Sequence, residues 1–145
     1  YVNPVIRIAI YKKGQMFLCY HPVNAISNKG KVDIAMECYL RYGETLNEGV
    51  DRHMKNAFPH SENIKPDFNI FYHFEDETTN RLIYLYLVEI KDESILDTPH
   101  FKHSKFWSFK QIEDNLGKGF FSKCFEDEYE HLKGVIDIRE KYMGS

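Results

Sequence analysis

The spacing of apolar and polar residues changes several times along this chain, and each change marks an element. Pro4 to Ile10 (PVIRIAI) is short, β-branched and apolar, Lys12-Lys13-Gly14-Gln15 reads as a turn, and Met16 to Tyr20 returns as a second strand; together they form a hairpin pattern. A second turn, Asn28-Lys29-Gly30-Lys31, leads into Val32 to Met36 (VDIAM), where apolar residues alternate with Asp33 and Ala35. The period then lengthens. From Glu44 to Phe58 the apolar residues Leu46, Val50, Met54 and either Ala57 or Phe58 recur at helical spacing, with Thr45 or Gly43 to start the helix and Pro59 to stop it. The other side of that helix carries Glu44, Glu48 and Arg52 one turn apart.

Alternation resumes in Phe68 to Glu75 (FNIFYHFE) and Arg81 to Glu89 (RLIYLYLVE), two long strands joined across Asp76 to Asn80. The second is nearly all apolar or aromatic, which predicts a central strand covered on both faces. Lys105 to Phe109 is a further strand, Ser108 caps a short helix over Lys110 to Leu116, and Ser122 caps a last helix from Cys124 to about Tyr142. That helix puts Phe125, Tyr129, Leu132, Ile136 and Arg139 on one stripe. The order β-β-β-α-β-β-β-α-α predicts a mixed α/β fold with its sheet held between helices.

Composition narrows the class. A length of 145 residues, 43% hydrophobic and 15% aromatic, is that of one globular domain over residues 1–145, too apolar for disorder. With 19 basic and 22 acidic residues the net charge is −3, so the basic surface that gathers nucleic acid or an anionic membrane is absent and neither is expected as a partner. No apolar run approaches the ~18–20 residues of a membrane span, and the first twenty residues lack a signal-peptide pattern. Cys19, Cys38 and Cys124 are an odd number with no Cys-x-x-Cys spacing, which predicts reduced, partly buried thiols and a cytoplasmic location. The histidines make no zinc pattern with these cysteines; His100 and His103 are neighbours without a visible third ligand.

The stretch from Lys31 to Phe58, strand then turn then Gly43-Glu44 then helix, resembles the Nudix box, whose motif is G-x5-E-x7-R-E-U-x-E-E-x-G-U with U a bulky apolar residue. Glu44 falls on the first Glu, Arg52 on the Arg after seven intervening residues, and Met54 on the first apolar position. The departures are Cys38 at the opening Gly, His53 after the Arg, Asn56-Ala57 in place of the Glu-Glu pair, and Pro59-His60 at the closing Gly and apolar positions. Three of nine fixed positions match. The order of strands and the two closing helices also follow a Nudix domain, and the ending KFWSFKQIEDNLGKGFFSKCFEDEYEHL is similar to the tail of bacterial Nudix proteins of Bacteroides-type genomes. The resemblance spans essentially the whole chain and implies a Nudix-like α/β/α sandwich with a mixed central sheet.

In that family the clustered carboxylates bind Mg²⁺, which bridges the diphosphate of a nucleoside diphosphate linked to another group and activates water for attack on phosphorus. Mg²⁺ is a hard cation that takes oxygen ligands at near-octahedral geometry, and two carboxylates one turn apart can share it with phosphate oxygens. Here Asn56 offers one neutral carbonyl, Ala57 offers nothing, and His53 suits softer metals. The resemblance therefore implies a degenerate box: a protein with weak or no Mg²⁺-dependent hydrolysis that binds a nucleotide or phosphorylated ligand, or uses the fold as an interaction surface. The alternative is an active pyrophosphohydrolase with relocated carboxylates, Glu44 and Glu48 holding Mg²⁺, Arg52 orienting them, and Glu37 or Asp51 in support. A plain solvated helix face is the third reading, with Glu48 and Arg52 an i,i+4 pair contributing ~0.2–0.5 kcal/mol. Homodimers are common in the family, so a second copy of the chain is an expected partner. Tyr72, Phe74, Tyr84, Tyr86, Phe106 and Trp107 are read as core packing, with base stacking as the functional alternative.

Overall fold

A computed structural model of the chain describes residues 2–25, 28–61 and 63–142. The strands are β1 (Asn3–Lys12), β2 (Gln15–Tyr20), β3 (Val32–Ile34), β4 (Met36–Tyr39), β5 (Asp67–Glu75), β6 (Asn80–Glu89) and β7 (Ser104–Ser108). The helices are α1 (Leu46–Ala57), α2 (Phe109–Glu113) and α3 (Lys123–Tyr142), with 3₁₀ turns at Glu93–Leu96 and Pro99–Phe101. These elements group into two compact units. One holds the chain up to Ala9 together with Met36–Lys102, and the other holds Ile10–Ala35 and everything from His103 onward. Strand β1 contributes residues to both.

The first unit is built on strands β4, β1, β6 and β5 in that order. β4 runs antiparallel to β1 with Ile6 opposite Cys38 and Arg7 opposite Glu37, and β5 pairs antiparallel with β6 around the hairpin at Asp76. Asp76 makes that turn: its carboxylate accepts the backbone N–H groups of Thr78 and Thr79, both at 2.8 Å, which holds its pKa down at about 2. As the unbroken apolar run predicts, Ile83, Leu85, Tyr86, Leu87 and Val88 of β6 are all buried, and so are Val5 to Ala9 of β1, including Arg7.

Helix α1 forms because three signals agree. Thr45 is the N-cap and makes a capping box with Glu48, each side chain taking the other's backbone N–H at 3.2 and 2.8 Å. A buried stripe of Gly49, Val50, His53, Met54 and Ala57 faces inward, and Phe58 closes the last turn on the Met54 carbonyl just before Pro59.

In the second unit β2 pairs with the end of β1 (Ile10 opposite Phe17), with β3 and with β7. The strand expected over Val32 to Met36 is interrupted: the chain bends at Ala35, and the residues from Met36 to Tyr39 form β4. Asp33 marks the interruption, because its buried carboxylate accepts the N–H of Ile34 at 2.7 Å and ends the ladder there. Helix α2 carries the expected Ser108 cap, in a box with Gln111, but stops at Glu113 rather than Leu116. The side-chain amide of Asn115 takes the Gln111 carbonyl at 2.8 Å, which removes that acceptor from the next backbone turn. Ser122 caps α3 through the N–H of Phe125, and Phe125, Tyr129, Leu132 and Ile136 are its buried stripe.

Candidate functional site

The Gly-Glu opening and α1 place Glu44 and Arg52 against each other. Helix α1 approaches β1 so closely that a Cβ on Gly49 would lie 2.6 Å from Leu40 Cδ1, 2.8 Å from Ile6 Cδ1 and 3.2 Å from Glu44 Oε1. With hydrogen at that position, the next turn of the helix reaches the loop after β4. Arg52 forks onto Glu44, Nε to Oε2 at 2.7 Å and Nη2 to Oε1 at 2.9 Å, and Nη2 also donates to the Tyr39 carbonyl at 3.1 Å. The N–H of Arg41 adds a third donor to Glu44 Oε1 at 2.9 Å. Hydrogen bonds from Arg52 and then from Arg41 hold the Glu44 carboxyl down at about 2, and the same bond pushes the Arg52 guanidinium further up. Burial raises the Cys38 thiol beside this pair, against the opposing pull of Arg52, so Cys38 is not an activated nucleophile.

Glu48 has a different occupation. Its carboxylate sits in the capping box, and the ion-pair partner of Arg52 among the described residues is Glu44, not Glu48. Glu48, Asp51, Arg52, Lys55 and Asn56 line an open groove of about 410 Å³. Asn56 is exposed beside it, whereas Ala57 turns inward and is buried. His53 is also inside, 6% exposed, with Nε2 lacking a hydrogen-bond partner among the described residues. Burial first, and then His100 and Arg52, hold its pKa down at about 4. No group of three or more His, Cys, Asp or Glu residues placed to hold a metal ion occurs among the described residues.

Glu37 points away from this groove. Along β4 side chains alternate, so Cys38 falls beside Arg52 while Glu37 falls on the opposite face of the strand. There Glu37 Oε1 accepts Arg7 Nη1 at 2.6 Å and meets Arg81 Nη1 at 3.4 Å, with Arg7 fully buried. The Arg81 guanidinium also lies 6.0 Å from the centre of the Tyr39 ring. Sequence reasoning missed Arg7, Arg81 and Tyr39. The signal for Arg7 was present, a lone charge inside the run PVIRIAI that must find a partner once the strand is buried. Of the aromatic residues weighed for stacking, Phe74 and Tyr86 are buried and Tyr72, Tyr84, Phe106 and Trp107 are half-buried; Tyr39 and Tyr42, which flank the loop before α1, are exposed, and Tyr39 is the one that meets Arg81.

No described helix is long and apolar enough to cross a membrane. Known family models give no match to this chain, and no curated protein matches it by sequence. Solved structures do match. A NUDIX hydrolase from Nitrosomonas europaea is similar over all of both chains, with 16% identity and a TM-score of 0.67. The MutT protein of Methanosarcina mazei Go1 is similar over 93% of this chain and 95% of that one, with 19% identity and a TM-score of 0.67. An Ap4A hydrolase of C. elegans is similar over 94% and 99%, with 13% identity and a TM-score of 0.66. This likeness, carried by structure rather than by residue identity, establishes that the chain has the Nudix fold, an α/β arrangement of a mixed sheet with helices.

Proposed function

We propose that this chain is a Nudix-fold protein that binds a nucleoside diphosphate derivative and has little or no Mg²⁺-dependent hydrolysis. The observation that carries this reading is the state of the box's carboxylates. Both oxygens of Glu44 are held by Arg52 and Arg41, and one turn beyond Arg52 the chain presents Asn56 and a buried Ala57. A hard dication needs several anionic oxygens at near-octahedral positions, and this donor set does not fit it. The nucleotide class is supported by the fold's company, since one structural neighbour is an Ap4A hydrolase and another a NUDIX hydrolase. Free thiols at Cys19, Cys38 and Cys124 suit a reducing cytoplasm.

The test is titration of ADP-ribose into the purified protein, with and without Mg²⁺ or Mn²⁺, followed by a phosphate-release assay on the same sample. The expected result is saturable binding that does not need metal, with turnover at the buffer background. The second reading, a hydrolase with relocated carboxylates, draws on the groove in which Glu48 and Asp51 stand beside Asn56. Metal-dependent turnover that disappears in Glu48→Gln and Glu44→Gln would establish that reading and reject the first.

A further inference from the structure

Arg81 is a cation poorly matched by the protein around it. Its side chain is 12% exposed, and its ion pair, to Glu37, is long at 3.4 Å and goes to the same oxygen that Arg7 already holds at 2.6 Å. Its Nε is buried and has no hydrogen-bond partner among the described residues. A guanidinium has five donors in a planar fork shaped for a carboxylate or phosphate, and taking one out of water without acceptors is costly. Against it lies Tyr39, 56% exposed, with the ring centre 6.0 Å from the guanidinium carbon. The backbone carbonyl of Tyr39 is the group that Arg52 grips, so the ring is fixed to the same clamp that closes Glu44. With the guanidinium over the ring, Arg81 offers a group for an anion and the exposed remainder of the Tyr39 ring one for a flat, aromatic ligand part.

We infer that Arg81 and Tyr39 form the recognition subsite for the nucleoside diphosphate, Arg81 taking a phosphate oxygen and Tyr39 stacking on the base. The inference rests on the ligand class proposed above and assigns it to residues outside the box. The Glu37 carboxylate, itself held by Arg7, is the protein's anchor for Arg81, so the guanidinium has a partner before the ligand arrives.

The experiment compares ADP, inorganic pyrophosphate and adenosine as separate probes, by calorimetric titration, on the wild type, Arg81→Met and Tyr39→Leu. In Arg81→Met, binding of ADP and pyrophosphate is expected to weaken at least tenfold with adenosine unchanged. In Tyr39→Leu, ADP and adenosine are expected to weaken severalfold with pyrophosphate unchanged. Tyr39 is exposed, so that variant keeps its fold, and it carries the test alone if Arg81→Met melts below the assay temperature. ADP binding equal to wild type in both variants overturns the subsite while leaving the nucleotide reading standing. A wild type that binds neither ADP nor pyrophosphate overturns the nucleotide reading, and this subsite with it.

Discussion

The buried His53 makes stability depend on pH in a window of its own. Its imidazole is held at about 4 in the folded chain against an ordinary value near 6.5, through burial and the nearby His100 and Arg52. As pH falls below 6.5 the unfolded chain takes up this proton first, so acid favours unfolding, and the stability present above 6.5 is lost on the way down to about 4. Between pH 7.5 and 4.5 this linkage amounts to a loss of about 2–3 kcal/mol, at 1.36 kcal/mol per unit. The cause is legible in the site: Nε2 has no acceptor among the described residues, so the imidazolium would bring a second donor and a charge into a pocket that already faces a guanidinium. Glu44 and Asp76, both held at about 2, titrate later, and their contribution is lost only as pH falls from the ordinary carboxyl range toward 2. Urea unfolding of the wild type and His53→Leu at pH 7.5, 6.5, 5.5 and 4.5 separates the two windows. The wild type should lose the stated amount and the variant well under half of it. Equal slopes for the two proteins above pH 4.5 would refute the reasoning.

Three further outcomes follow from packing and charge. Gly49→Ala adds helix propensity of about 0.5–1 kcal/mol but pushes a methyl into Ile6, which cannot move outward, so a net loss of about 1–2 kcal/mol is expected in urea unfolding. A stabilised Gly49→Ala would mean that Leu40 and Ile6 repack freely. Arg7→Met removes the main partner of Glu37 and should cost about 2–3 kcal/mol by the same assay, and an unchanged midpoint would show that this pair contributes nothing net. Asn56→Glu, at an exposed position, should leave the thermal midpoint nearly unmoved, whereas Ala57→Glu places a carboxylate where the side chain is buried and should cost about 3 kcal/mol or more. Comparable melting of the two variants would show that α1 can turn Ala57 outward.

How far the sequence could be read depended on whether the relevant partner was local. Helix α1 was legible because its cap, apolar spacing and stop all lie within fifteen residues and agree, and the β5–β6 hairpin was legible for the same reason. Glu48 was ambiguous even locally: at N3 it can cap Thr45 or pair with Arg52. The cap prevails because it satisfies a backbone N–H at about 0.5–2 kcal/mol, against ~0.2–0.5 for an exposed i,i+4 pair. Glu37 was not legible at all as a partner of Arg7 and Arg81. Those residues lie 30 and 44 positions away, and only the register of β4 on β1 shows which face Glu37 takes. The bend at Ala35 was hidden because alternation runs straight through it, while Asp33 spends its carboxylate on the chain's own backbone.

The contacts around Glu44 and the residues at positions 53, 56 and 57 do separable work in this helix and the loop before it. Arg52 ties the Glu44 carboxylate to the Tyr39 carbonyl, and Glu44 in turn holds the Arg41 N–H, so the loop from β4 to α1 is closed by side chains that need no metal. Gly49 lets the helix lie close enough for that closure. None of these contacts involves positions 53, 56 or 57. There a histidine packs inward, an asparagine faces solvent and an alanine fills the core, three residues compatible with a helix that only has to pack. Building a metal site on this helix would demand more than one exchange, because Ala57 is buried and Glu44 would have to release Arg52 to lend an oxygen. A ligand site that relies on Arg81 and Tyr39 needs neither change, since both stand on strands that the clamp leaves in place.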